Sequence, residues 1–452
     1  MHSENRNLIL VLALWSLMLL PWLFGRGIFA DGLYYGTIAR NWCFGTGDLW
    51  DFQVSESLMN PFYSHPPLAF WLEGTLFCVF GDYWWIDRIF GLLTFIFTAT
   101  GIVRIWRLYF PTHQSWLPLF ILMLLPTSVW AFNNNVLENS MGMFCVWAVY
   151  FQLSASKSER LHFLKFIISG LLVFAAALCK GPTGLFPLVL PFILLIFQKR
   201  MRFVSVLQAF IPSIVFFIAL SILLLWDDAS KYLYDYYQIQ IQGSFSMNNN
   251  ENQALMLKQF LLEVLPLLSI ALLLKYWFTR NLNISKETII LLSIAGAASL
   301  PILISPKQMG FYLMPSLPYW ALGIAGLIHK ITFSNSKIAG KLLPYFSVLI
   351  FTTAVILMMY NFKKPVRDFA LLEDVDKICA ILPKETKVGL DPKLSENWKM
   401  QGYFAREQKI SFDPIGHPQY KYHIGSLEYK LETCELIYRG KELQLCKCPM
   451  PE

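Results

Sequence analysis

Apolar residues in this chain run in long blocks instead of alternating with polar ones. From Asn7 to Tyr360 blocks of roughly 17 to 25 mostly apolar residues follow one another, joined by short polar connections. Each is long enough to cross a hydrocarbon core of about 30 Å as a helix. They fall near residues 8–24, 86–108, 116–132, 136–154, 161–178, 183–198, 203–226, 258–278, 287–304, 311–328 and 341–360, which predicts about eleven crossings. The run from Pro67 to Phe80 is apolar but only about 14 residues long, so it fits an interfacial or re-entrant helix within a long first loop. Past residue 360 the pattern changes to alternating polar and apolar positions, with turn signals at Asp391-Pro392 and Asp413-Pro414. The expected fold is therefore an α-helical polytopic membrane protein over residues 1–360, with interfacial helices in its long first outer loop. A small C-terminal α/β domain follows over 361–452. No repeat period emerges that would relate one half of the chain to the other.

Composition agrees with the pattern: 56% of residues are hydrophobic and only 15% charged, against about a quarter charged in soluble domains. The net charge of +7 is spread over short connections, not gathered into a continuous basic patch, which excludes nucleic acid as a partner. Lys and Arg near helix ends favour the cytoplasmic side. With the N-terminus inside, the inside turns receive Arg104 and Arg107, Lys157 and Arg160, Lys199, Arg200 and Arg202, Lys275, Arg280 and Lys286, and Lys330, Lys337 and Lys341. The first loop from Phe29 to about Trp85, the loop Asp227–Leu257 and the tail from Asn361 then lie outside. The first apolar run lacks a small-residue cleavage site and reads as a retained anchor. Short loops and a compact tail suit a bacterial inner membrane, with the active site and C-terminal domain periplasmic. The eight cysteines show no metal-ligand spacing, and Cys434 has Cys446 or Cys448 as a disulfide partner in an oxidising compartment.

Charges in or beside a membrane are costly, so their positions carry a functional hypothesis. Here they share the outer side. Asp31 follows the first span, Glu138 opens the fourth, Lys180 joins the fifth to the sixth and Lys307 the ninth to the tenth, with Arg40 and His65 in the outer loop and Arg88 at the start of the second span. Lys180, Lys307 and Arg88 run against the positive-inside trend, and an anion at the outer surface would account for them. Structural pairing or snorkelling to headgroups is the alternative for each one. The stretch Leu33–Phe44 is patterned for a short helix on the membrane. Asp31 is then either its N-terminal cap or a general base. Glu138 likewise reads as a helix N-terminal charge or as a substrate contact.

The string Phe29-Ala30-Asp31-Gly32-Leu33-Tyr34-Tyr35-Gly36-Thr37-Ile38-Ala39-Arg40, followed by Thr46-Gly47-Asp48-Leu49-Trp50 and by His65-Pro66-Pro67-Leu68 with Trp71 and Leu72, resembles the first outer loop of C-type membrane glycosyltransferases. Protein O-mannosyltransferases and the aminoarabinose transferase of lipid A are among these. Glu138, then Lys180-Gly181-Pro182 with Gly184-Leu185, then Lys307 followed by Phe311-Tyr312-Leu313 and Pro315 continue the likeness over the first 330 residues or so. In two places the chain departs from the family pattern: Gly32 stands where Glu commonly follows the aspartate, and Glu138 where Asp is common. His65 stands where mannosyltransferases have His and the lipid A enzyme has Lys.

The resemblance implies an inverting glycosyltransferase that moves a hexosyl or pentosyl group from a polyprenyl-phosphate donor to a glycolipid, glycan or protein acceptor. Asp31 matches the catalytic aspartate; Arg40, His65, Arg88, Lys180 and Lys307 are the expected phosphate contacts; Glu138, Tyr34, Tyr35 and Tyr312 the expected sugar or acceptor contacts. The lipid-linked sugar is already activated, and no nucleotide-phosphate loop, metal site or further cofactor is expected. Membrane lipids are the remaining partner. The alternative is a lipid or glycan flippase, in which ionisable groups belong near the midplane.

Overall fold

The computed structural model describes residues 2–110, 114–157, 162–197, 209–243, 255–303, 305, 308–331, 337–413, 420–431 and 433–449. Among them, seven helices are long and apolar enough to cross a membrane: Glu4–Leu23, Ile86–Tyr109, Phe163–Lys180, Leu255–Thr279, Lys286–Leu303, Gly310–Ile328 and Leu342–Tyr360. An eighth is counted if Ile211–Leu224 and Asp227–Gln242, which turn by 110° at their junction, form one broken span. The expected count of about eleven crossings is not reached by long apolar helices among the described residues, and the chain's own breakers divide some of the expected blocks. The 116–132 block is two short helices, Leu117–Met123 and Pro126–Phe132, because Pro126 lacks an N–H and its ring excludes Leu125 from helical geometry. The 183–198 block starts as the tight turn Pro182–Val189 and becomes an α-helix only over Leu190–Phe197. The 136–154 block is the 20-residue helix Leu137–Ser156, whose buried Glu138, Asn139, Ser140 and Gln152 lower its hydropathy.

The chain forms two compact units. The first comprises Met1–Pro21, Tyr63–Ala69 and Gly91–Leu357. In it Leu137–Ser156 packs along Phe163–Lys180, which also carries Ile211–Leu224, and Leu317–Ile328 packs against Leu117–Met123, Leu255–Thr279 and Lys286–Leu303. The apolar window of Gly310–Ile328 is 89% buried and that of Leu255–Thr279 17%, so the first is an inner helix and the second turns most of its surface to lipid.

The second unit comprises Trp22–Phe62, Phe70–Phe90 and Met358–Glu452, so the tail shares its unit with most of the first loop. Five strands, β1 (Lys387–Leu390), β2 (Ser411–Asp413), β3 (Tyr422–Ser426), β4 (Glu435–Arg439) and β5 (Leu443–Lys447), form one sheet in the order β2-β1-β3-β5-β4. β1 is parallel to β2 and β3, while β5 is antiparallel to β3 and β4. Helices Phe369–Ile381 and Trp398–Gln408 cover it, giving a core of Leu372, Val375, Ile378, Val388, Phe404 and Ile424 that also takes in Ile28 and Leu33 from the first loop. The first loop contributes helices Ala30–Cys43 and Leu68–Phe80, joined by a Cys43–Cys78 disulfide. Cys434 pairs with Cys448, not Cys446.

Candidate active site

In the first unit Lys180 pairs with the buried Glu138. Lys180 is the last residue of helix Phe163–Lys180, where the helix dipole favours a cation, and Gly181 ends that helix at φ +85° and ψ −149°, a backbone region essentially reserved for glycine. Lys180 Nζ donates to Glu138 Oε1 and lies 4.2 Å from the centroid of the Tyr312 ring and 5.6 Å from that of Phe311. Both charged side chains are nearly out of solvent, at 11% and 1% exposure. Glu138 sits in the first turn of Leu137–Ser156 behind the N-cap Val136, so it combines a favourable position in the helix dipole with an ion pair.

His65 reaches the same unit through the helix Asp227–Tyr236. Tyr232 Oη donates to the His65 carbonyl at 2.7 Å, and Tyr236, one turn later, places its hydroxyl 3.5 Å from the Lys180 carbonyl. Residues four apart share a helix face, so His65 and Lys180 hang from adjacent turns of one element. His65, Glu138, Lys180 and Tyr312 are thereby brought into one unit. Lys307 lies outside the described residues.

Asp31, Tyr34, Tyr35, Arg40 and Arg88 belong to the second unit. The first-loop helix runs over Ala30–Cys43 with Phe29 as its N-cap. Asp31 therefore stands inside the first turn, half-buried, and is not the cap residue. Among the described residues the buried Tyr34 hydroxyl has no hydrogen-bond partner; burial pushes its titration upward, and the nearby Asp31 charge adds to the shift. Tyr35 packs its ring on Phe70, centroids 5.8 Å apart.

Arg40 and Arg88 are engaged in the interior of this unit. Arg40, 1% exposed, pairs with Asp82 at 3.2 Å and donates to the Ala405 carbonyl at 2.7 Å. Burial lowers its titration to about 10, the adjacent Arg406 acts in the same direction, and Asp82 opposes both. Arg88 donates to the Gly27 carbonyl and is likewise buried.

Three residues that matter here went unremarked in the sequence. Asp82 accepts from both Arg40 and Arg406; burial raises it, but the two guanidinium groups outweigh burial and hold it below the usual carboxylate range. Arg406 comes from the tail, and no periodicity links it to the loop. Glu263, buried within the apolar run of Leu255–Thr279, accepts from the Thr127 amide and hydroxyl and from Gln259, capping the short Pro126–Phe132 helix. A carboxylate inside an apolar block is the signal that would have found it.

Residues 64–226 match the family described as dolichyl-phosphate-mannose-protein mannosyltransferase. ArnT from Cupriavidus metallidurans bound to undecaprenyl phosphate superposes with a TM-score of 0.68 at 13% identity, over 97% of each chain. Its apo state gives 0.66 at 13% identity, over 97% of this chain and 96% of that one. The archaeal oligosaccharyltransferase AglB from Archaeoglobus fulgidus, in complex with an inhibitory peptide and a dolichol-phosphate, gives 0.51 at 12% identity, over 93% of this chain and 69% of that one. Among curated proteins none matches in sequence. At these identities the likeness is one of fold, and that fold is the one the first-loop motifs resemble.

Proposed function

We propose that this chain is an inverting glycosyltransferase that takes its sugar from a polyprenyl-phosphate donor at the outer face of a bacterial inner membrane. The observation that carries the reading is the Lys180–Glu138 pair under the Tyr312 ring. A cation at a membrane helix end, nearly out of water and backed by the Glu138 carboxylate, is a place where a lipid phosphate can exchange for that carboxylate. The match of residues 64–226 to the mannosyltransferase family and the likeness in fold to an undecaprenyl-phosphate-bound ArnT support it. Two disulfides in the second unit support an oxidising, extracytoplasmic setting for the first loop and tail.

In this reading an acceptor hydroxyl attacks the anomeric carbon as the bond from that carbon to the phosphate oxygen breaks. The bonding pair leaves with the phosphate, Asp31 takes the hydroxyl proton, and configuration inverts. Lys180, with Lys307 and His65, carries the phosphate charge. Arg40 and Arg88, the other proposed phosphate contacts, also hold the loop through Asp82 and backbone carbonyls. Aspartate, with an ordinary pKa of about 3.9, is a weak base, so most of the rate comes from positioning and from stabilising the leaving group. Glu138, Tyr34, Tyr35 and Tyr312 remain the proposed sugar and acceptor contacts. A glycolipid, a glycan and a protein all remain proposed acceptors, and no metal step is invoked.

The test is transfer by the purified protein from a panel of polyprenyl-phosphate sugars to candidate acceptors, the unaltered chain beside Asp31→Asn. Loss of transfer by about 10²-fold or more in the variant, the scale of general base catalysis, is the expected result. Undiminished transfer removes Asp31 from its role. Movement of the lipid-linked sugar across vesicles without any transfer replaces the enzyme with a flippase.

A further inference from the structure

We propose that Arg406, in the C-terminal tail, is a positioning residue for Asp31, so that the tail helix Trp398–Gln408 belongs to the catalytic apparatus. This rests on the reading of Asp31 as catalytic.

Ten of the fourteen residues of the Asp31 helix, Ala30–Cys43, are buried, and a helix covered nearly all round is placed by what covers it. The tail helix follows it from end to end. At the N-terminal end Tyr403 Oη accepts from the Ile28 amide at 3.2 Å while donating to Asp368 at 2.8 Å. In the middle Gly402 leaves no room for a side chain: a Cβ there would lie 2.7 Å from Tyr34 Cε1 and 3.0 Å from Leu33 Cδ2. Toward the C-terminal end the Ala405 carbonyl accepts from Arg40 at 2.7 Å.

Arg406 fixes the rotation of this arrangement. Its guanidinium, 6% exposed, donates to Asp82 at 2.7 Å and to the Tyr83 carbonyl at 3.0 Å, and lies 3.6 Å from Asp87. Each acid then meets the Asp31 helix. The second oxygen of Asp82 pairs with Arg40 at 3.2 Å, and Asp87 stands against Gly36, where a Cβ would lie 2.6 Å from its Oδ1. Asp82 thus separates two guanidinium groups that would otherwise repel, and Arg406 lies over the Phe77 ring at 4.9 Å. The planar fork lets one side chain donate to Asp82 and to the Tyr83 carbonyl while holding its charge beside Asp87. None of these partners is in the tail: Phe77, Asp82 and Tyr83 belong to the first loop and Asp87 to the first turn of Ile86–Tyr109. The interactions of Arg406 therefore go into placing the loop, while the tail's own sheet is held by its apolar core.

The expected result for Arg406→Met is a fall in kcat of about ten-fold or more, since displacement of a reacting group by about 1 Å costs up to 10²-fold, with donor KM within about two-fold. Arg406→Lys recovers part of the loss. Asp82→Asn, which removes the same tie at a residue 40% exposed, is the second variant should Arg406→Met fail to fold. It lowers kcat by itself, and because the Arg406 tie is shared it costs less in the Arg406→Met background than alone, the remainder being the loss of its pair with Arg40. Unchanged kcat per folded molecule in Arg406→Met and Asp82→Asn overturns the proposal, and so do losses that follow only the folded fraction. Asp31→Asn runs alongside: full transfer in that variant sinks the catalytic reading itself, whereas its loss beside an unaffected Arg406→Met sinks only the positioning role.

Discussion

Lys180 and Glu138 pose the question that separates a structural charge from a working one. A nearly buried ion pair contributes little net stability relative to an apolar pair, yet removing one partner strands the other charge and costs about 3–5 kcal/mol. Lys180→Met alone should therefore both destabilise the protein and abolish transfer, and loss of activity would teach nothing. Adding Glu138→Gln removes the charge that had faced Lys180. If the pair were only structural, the double variant would regain stability and transfer together. With Lys180 as the phosphate contact, thermal stability returns in the double variant while transfer stays at least about 10²-fold down, the scale of losing one charge-stabilising group. Lys180 and Glu138 were legible from sequence because each is a charge at the edge of an apolar block. Asp31 was legible as a carboxylate following a span, but its first-turn position was not: the residue that starts a helix depends on backbone angles at Phe29 and Ala30, which packing decides.

At the scale of elements, the breaks carry as much as the spans. Gly181 lets helix Phe163–Lys180 stop abruptly and leaves the space that Tyr236 fills: its hydroxyl lies where a Cβ at Gly181 would be. Gly181→Ala should cost about 1–3 kcal/mol for the backbone strain alone, and more for displacing Tyr236, whose helix also ties His65. A fall in melting temperature together with a rise in donor KM is expected; a variant as stable and as tight as the parent would show that this turn is not as described. Proline and glycine at 126, 181 and 182 are visible in any reading of the chain, but a hydropathy window averages over them and returns whole crossings. That is why long apolar helices such as Ile86–Tyr109 and Leu255–Thr279 were read nearly to their ends, whereas the 116–132 and 183–198 blocks were not. Periodicity reports which solvent a segment prefers, and only local backbone chemistry reports where it bends.

At the scale of the whole chain, the unit that joins the first loop to the tail could not be read from pattern at all. Arg406 and Asp82 are 324 residues apart, and the Cys43–Cys78 bond pairs the last residue of helix Ala30–Cys43 with one inside Leu68–Phe80. Neither pairing leaves a periodic trace. What the sequence does carry at this scale is sidedness, through the Lys and Arg residues of alternate turns, and the cysteine pattern makes that testable. Four cysteines are tied in disulfides and the other four, Cys145, Cys179, Cys379 and Cys446, are buried, so the parent chain should react little with a membrane-impermeant maleimide. Two new thiols at exposed positions then report from the two sides: Glu396→Cys in the tail and Asn281→Cys in the turn between Leu255–Thr279 and Lys286–Leu303. In intact cells stripped of their outer membrane, Glu396→Cys should label fully and Asn281→Cys only after lysis. The reverse pattern would put the Asp31 helix and the tail in the cytoplasm, where the two disulfides would not persist and an exported lipid-linked sugar would be out of reach. Labelling of both from outside would mean that the number of crossings between residues 281 and 396 is even. The candidate spans there, Lys286–Leu303, Gly310–Ile328 and Leu342–Tyr360, make it odd, and this count is the step on which the placement of the tail rests.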